Sequence, residues 1–186
     1  MYTAIQRQQM LVTAHEAIEH GLNLGTRIEL DHRQFSPQLL QQRACFVTLK
    51  IDDLLRGCIG SLIASEPLID NIAYNAFSAA FHDPRFDALE HFELPLLETE
   101  ISILSDSETI ICDSEQQLLE RLRPDTDGLI LRENELCGTF LPRVWQQLPD
   151  PQDFVRQLKS KIGLAEDYWS ATLTAERYTV QSYSTK

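Results

Sequence analysis

Residues 44–62 constrain this chain more than any other stretch. The run Ala44-Cys45-Phe46-Val47-Thr48-Leu49-Lys50-Ile51 is β-branched, aromatic and alternating, the pattern of a half-buried strand. Cys45, Val47, Leu49 and Ile51 fall on one side of it, with Phe46, Thr48 and Lys50 on the other. Asp52-Asp53 is a turn signal, and residues 54–62 resume as a strand, so the segment predicts a β-hairpin. Its second strand carries Leu55-Arg56-Gly57-Cys58-Ile59-Gly60. In a regular strand Arg56 and Cys58 share one face, with Cα atoms roughly 7 Å apart. A nearby cation favours the thiolate, which is the reactive form of cysteine. Gly57 and Gly60 remove side chains beside the sulfur, so another backbone or a ligand can approach closely. Cys58 is therefore a candidate nucleophile. The competing reading is a small packed side chain, since cysteine is among the most buried residues.

The rest of the chain alternates between helical and extended patterns. Residues 3–20 read as an amphipathic helix, with Ile5, Leu11, Ala14 and Ile18 at roughly helical spacing and Gly21 as its stop. A second helix follows the hairpin. Ser65 is its cap, Pro67 lies in its first turn, and Ile69, Ile72, Ala73, Ala76 and Ala80 form its apolar stripe. It ends near His82-Asp83, because the residue before Pro84 disfavours helical geometry. Asp83-Pro84-Arg85-Phe86 is then a turn leaving a helix C-terminus. Residues 96–105 predict a strand with Leu97, Ile101 and Ile103 inward and Glu98, Glu100 and Ser102 outward.

Further on, a short helix is expected at 114–123 and a hairpin at 129–132 and 136–141. A helical turn follows from Pro142 through Trp145, then a helix at 152–162 closed by Gly163 and a last strand at 176–183. The hairpin and helix of 44–81 have an echo in 128–147, which suggests a duplicated hairpin-helix unit. The fold expected is α+β, an antiparallel sheet with flanking helices in two lobes, organised as one domain over residues 1–186.

Composition excludes several functions. The chain has 16 basic and 28 acidic residues, a formal charge of −12. Non-specific nucleic-acid binding requires cations to displace counterions, and anionic membrane surfaces attract basic segments, so neither is an expected partner. No run approaches the roughly 20 apolar residues of a membrane span, and the polar first ten residues do not read as a signal peptide. Cys45, Cys58, Cys112 and Cys137 lack paired CxxC spacing, which predicts thiols in a reducing cytoplasm rather than a disulfide framework or a zinc site. No metal and no cofactor is implied.

Several runs, in this order, resemble the AMMECR-type domain family. They are Cys45-Phe46-Val47-Thr48-Leu49, Leu55-Arg56-Gly57-Cys58-Ile59-Gly60, Asp83-Pro84-Arg85-Phe86, Glu100-Ile101-Ser102-Ile103-Leu104-Ser105, Asp127-Gly128-Leu129-Ile130-Leu131 and Gly138-Thr139-Phe140-Leu141-Pro142-Arg143-Val144-Trp145. Phe154 through Gly163 and Trp169 complete the likeness. The resemblance implies a cytosolic α+β protein with two lobes. In prokaryotes such a protein is often the first component (the A protein) of a three-part AmmeMemoRadiSam system with a Memo-like protein and a radical-SAM protein. The family's chemistry is unsettled, so the likeness implies no reaction.

Two functions remain open on these residues. The first is an enzyme, or an enzyme component, acting on a small anionic substrate or a modified residue. Cys58 and Glu100 are its catalytic candidates, and Arg56, Gly57, Gly60 and Arg85 bind the ligand. His82 is the nearest base in kind, although a histidine at a helix C-terminus is also a simple dipole partner. The second is a non-catalytic ligand-binding or adaptor module in which the Leu55–Gly60 segment is structural and Arg85 pairs internally with Asp83 or Asp87.

Overall fold

A computed structural model describes residues 1–185. In chain order its main elements are α1 (Ala4–Leu24), β1 (Cys45–Ile51), β2 (Leu54–Gly60), α2 (Leu68–Phe81), β3 (Glu98–Leu104) and β4 (Glu108–Thr109). They continue with α3 (Glu115–Arg121), β5 (Gly128–Glu133), β6 (Leu136–Phe140), α4 (Pro151–Lys161), β7 (Thr174–Tyr178) and β8 (Val180–Ser184). The chain divides into two compact units, one of Met1–Leu104 with the stretch from Gln181, the other of Ser105–Val180. No helix among the described residues is long and apolar enough to cross a membrane.

The first unit is built on a four-stranded sheet in the order β2-β1-β3-β8. The hairpin forms as its sequence predicts. Asp52 and Asp53 both take positive φ, 51° and 62°, the conformation a tight two-residue hairpin turn requires. Cys45, Val47 and Leu49 face the core with Ile101 and Ile103 of β3, together with α1 and α2. Asn75 of α2 donates to the Cys45 carbonyl at 3.1 Å and sits 3.4 Å from its sulfur, fixing helix to sheet through a buried amide.

Two helix ends differ from expectation. Thr3 and Gln6 form a capping box at the start of α1, but Gly21 lies inside the helix. A Cβ there would meet the rings of Phe81 at 2.4 Å and Phe77 at 2.8 Å, so Gly21 serves the close packing of α1 on α2. The stop is Gly25, in the left-handed region at φ 69°, where glycine carries no side-chain penalty. Ile5 is 75% exposed, and the buried stripe runs through Met10, Ala14, Ala17, Ile18 and Gly21 instead. Pro67, not Ser65, occupies the N-cap of α2, and no side-chain cap bond forms there.

The second unit repeats the plan. Its sheet has the order β4-β7-β5-β6, so hairpin, helix and returning strand (β5, β6, α4, β7) follow the same pattern as β1, β2, α2 and β3. Both hairpins bring a glycine of the second strand against a helix. A Cβ at Gly138 would lie 2.3 Å from Ile162 just beyond α4, and one at Gly57 would lie 2.1 Å from the Ala79 carbonyl oxygen of α2. The core of this unit centres on Trp145 stacked on Phe154, ring centroids 3.7 Å apart. Within it the fully buried Lys159 Nζ donates to Glu115 at 2.6 Å and to the Glu166 carbonyl at 3.1 Å. The single strand expected at 176–183 is two strands, β7 and β8, interrupted at Thr179 and belonging to different sheets. The short β4 carried too few residues to show an alternating pattern.

Candidate functional site

Strand β2 lies at the rim of its sheet, so the main-chain groups on its outer side need partners other than a strand. At Cys58 those partners are the side chains of the turn after α2. Asp83 Oδ2 accepts the Cys58 N–H at 2.8 Å, and Arg85 Nη2 donates to the Cys58 carbonyl at 3.3 Å. Asp83 and Arg85 thus take the places that a neighbouring strand would fill. They also grip each other. Arg85 Nε and Nη2 donate to Asp83 Oδ1 and Oδ2 at 2.9 and 2.7 Å, and the Arg85 N–H adds a bond of 3.1 Å to Oδ1.

The Asp83 side chain is only 2% exposed. Its carboxyl is held well below the usual carboxylate range, chiefly by the Arg85 guanidinium. Burial opposes that shift, and the Cys58 and Arg85 N–H groups reinforce it.

Gly57 belongs to the same structural device. It pairs with Leu49, on the helix side of the sheet, and its missing Cβ lets the Ala79 main chain approach. Gly60 is closed off likewise, since a Cβ there would meet the Phe46 ring at 2.3 Å and the Cys45 carbonyl at 2.5 Å. The space beside both glycines is filled by protein.

Arg56 does not stand beside Cys58 as a regular strand predicts. The β1–β2 register slips between Leu49 and Lys50, which pair with Gly57 and Leu55. Arg56 is the extra residue of a bulge, and a bulge re-aims its side chain. Its Nε and Nη2 bind Glu93 Oε1 and Oε2 at 2.6 and 2.9 Å. Both side chains of that pair are largely buried, at 15% and 13% exposure. Arg56 Nη1 is buried and has no hydrogen-bond partner. The Glu93 carboxyl is held below its ordinary range, first by Arg56 and, against burial, by the Glu90 N–H.

The Phe86 ring is near both guanidiniums, its centroid 6.0 Å from Arg56 Cζ and 5.5 Å from Arg85 Cζ. Arg56, Pro84, Arg85, Phe86 and Asp87 line a cavity of about 440 Å³.

Cys58 and Glu100 lie on another row. The Cys58 sulfur is 3.3 Å from Thr48 Oγ1, and Thr48 stands opposite Cys58 on one side and Glu100 on the other. Two strand spacings, roughly 10 Å, therefore separate the cysteine and glutamate positions. Glu100 accepts from Lys50 Nζ at 3.3 Å and from Ser102 Oγ at 3.4 Å. His82 is exposed at the end of α2, its ring against Phe77 at a centroid distance of 5.2 Å. No cluster of three or more His, Cys, Asp or Glu side chains suited to a metal ion occurs among the described residues.

The expected ligand residues thus divide. Arg56 and Arg85 converge on Phe86, Gly57 and Gly60 serve packing, and Cys58 and Glu100 sit on a neighbouring polar row. Sequence reasoning missed Glu93. A carboxylate 37 residues from its arginine leaves no local signal, and the Arg56 bulge that aims the pair is equally invisible in a run that alternates regularly.

Comparison with known proteins agrees with this architecture. The AMMECR1 family model matches residues 11–183. A protein of Methanothermobacter thermautotrophicus is 36% identical over 170 residues, covering 89% of this chain and 88% of the relative. A Methanosarcina barkeri protein is 34% identical over 172 residues, with coverages of 91% and 85%. The crystal structure of an uncharacterised protein from Pyrococcus horikoshii superposes with a TM-score of 0.85 at 28% identity, covering 94% of this chain and 89% of that one. With its hairpin, signature segment and second sheet all inside the matched region, the chain belongs to the AMMECR1 family.

Proposed function

We propose that this protein is a non-catalytic binding or adaptor module whose Leu55–Gly60 segment is a structural support. One observation carries the reading: the main-chain N–H and C=O of Cys58 are both occupied by the Asp83–Arg85 pair. The most distinctive residues of the segment are spent on the fold. Gly57 admits α2, Cys58 anchors the turn, and Arg56 anchors Glu93. The arginines that would serve a small anionic substrate each already hold a carboxylate. What they present outward is the surface around Phe86. The Memo-like and radical-SAM proteins implied by the family likeness, and a cytoplasmic setting, belong to this proposal.

Thiol chemistry is the second reading, and the row Cys58–Thr48–Glu100 favours it, because a hydroxyl touches the sulfur and a carboxylate follows on the next strand. Alkylation separates the two. A binding module predicts that Cys58 reacts with iodoacetamide at pH 7 no faster than a model thiol, and that Cys58→Ser keeps partner binding. Reaction well above the model-thiol rate, with binding lost in Cys58→Ser, would overturn the structural reading.

A further inference from the structure

We propose that the start of β2 and the 87–96 segment together form a docking surface for a protein segment in which apolar side chains alternate with lysine or arginine. The inference rests on the binding-module reading and adds the chemistry of the partner. The Arg56–Glu93 ion pair ties the two segments together. Leu55 precedes Arg56 and is 41% exposed, Phe92 precedes Glu93 and is 68% exposed, and Leu54 and Leu96 in the same two segments are 73% and 55% exposed. Single exposed apolar residues are ordinary, but Leu55 and Phe92 each adjoin one end of a largely buried ion pair that joins their segments, which makes them the centre of the proposed surface.

The charge of the region chooses the partner. Two guanidiniums, Arg56 and Arg85, stand among four carboxylates, Asp83, Asp87, Glu90 and Glu93. Asp83 and Glu93 neutralise the arginines by direct bonds. Asp87 and Glu90 remain on the exposed side, and both act on Arg56 electrostatically. The surface therefore carries excess negative charge, which repels a small anion and favours a basic partner.

The test is an NMR titration of the full chain with two synthetic peptides, one alternating leucine and lysine, the other leucine and glutamate. The leucine–lysine peptide is expected to shift the amides of Leu55, Arg56, Phe92 and Glu93 and to bind more weakly as salt rises. Phe92→Ser and Leu55→Ser leave the charge unchanged and are expected to weaken it about tenfold or more each, the behaviour of interface anchors. Ile111→Ser and Leu136→Ser remove exposed apolar side chains in the other unit and should bind as the parent does, which separates docking from general attraction to an acidic protein. Equal binding of the leucine–glutamate peptide, shifts confined to other residues, or parental affinity in Phe92→Ser would each overturn the proposal. A reactive Cys58 would leave all these outcomes unchanged, so failure here and failure of the structural reading are told apart.

Discussion

Replacing Asp83 by asparagine changes one atom and tests the support of β2 directly. The carboxylate accepts four hydrogen bonds, two at each oxygen: the Arg85 N–H and Nε at Oδ1, and the Cys58 N–H and Arg85 Nη2 at Oδ2. An amide keeps one oxygen and turns the other into a donor facing two donors. About two charge-assisted bonds are lost, at roughly 1.5–3 kcal/mol each. The Arg85 side chain is 53% exposed and recovers part of this by hydration, so the discounted cost is about 2–3 kcal/mol.

The pH dependence has a definite sign. The Asp83 carboxyl is shifted down in the folded protein, so its contribution is complete above the unfolded carboxylate pKa of about 4. It is lost as pH falls from there toward the lowered folded value. Chemical denaturation at pH 7 and at pH 3, with hydrogen exchange at the Cys58 amide, measures both effects. Asp83→Asn should be less stable by the stated amount at pH 7, should lose Cys58 amide protection, and should show a smaller loss on acidification. A change below about 0.5 kcal/mol, the range of ordinary surface substitutions, with unaltered pH dependence would mean that the Asp83 carboxylate does not support β2.

Other outcomes follow from the same contacts. Gly57→Ala puts a Cβ 2.1 Å from the Ala79 carbonyl oxygen and should cost about 1–3 kcal/mol in thermal or chemical unfolding, as overpacking does. Lys159→Ala strands Glu115 beside a fully buried site and should cost about 3 kcal/mol, whereas Lys159→Met with Glu115→Leu should recover most of it. Among the cysteines, exposed Cys137 should alkylate first and Cys45 last in a timed mass-spectrometric assay, because burial pushes the Cys45 thiol up to about 12.

The first hairpin was legible because its physics is local. Alternation sets the two faces of β1 and the paired aspartates set the turn, so the hairpin and its turn read correctly without any tertiary knowledge. The helix stops were less legible. Gly21 and Gly25 look alike in sequence, and only the Phe77 and Phe81 rings, more than 50 residues away, show which one packs and which one ends the helix. The site suffered in the same way. Arg56 and Cys58 are neighbours by alternation, but a single bulge sends the guanidinium to Glu93 and leaves the sulfur on Thr48. The pairing of Arg85 with Asp83 spans two residues and was within reach of the sequence. Their joint capping of Cys58 was not, because nothing local indicates that β2 is a rim strand.

The most direct test of the structural reading is cellular complementation by Cys58→Ser and Asp83→Ala, measured side by side in a strain lacking this gene, with each variant's unfolding midpoint determined in parallel. Cys58→Ser should complement fully at near-parental stability, while Asp83→Ala should fail to complement and unfold earlier. Loss of complementation in a stably folded Cys58→Ser protein would contradict it and place the function on the thiol.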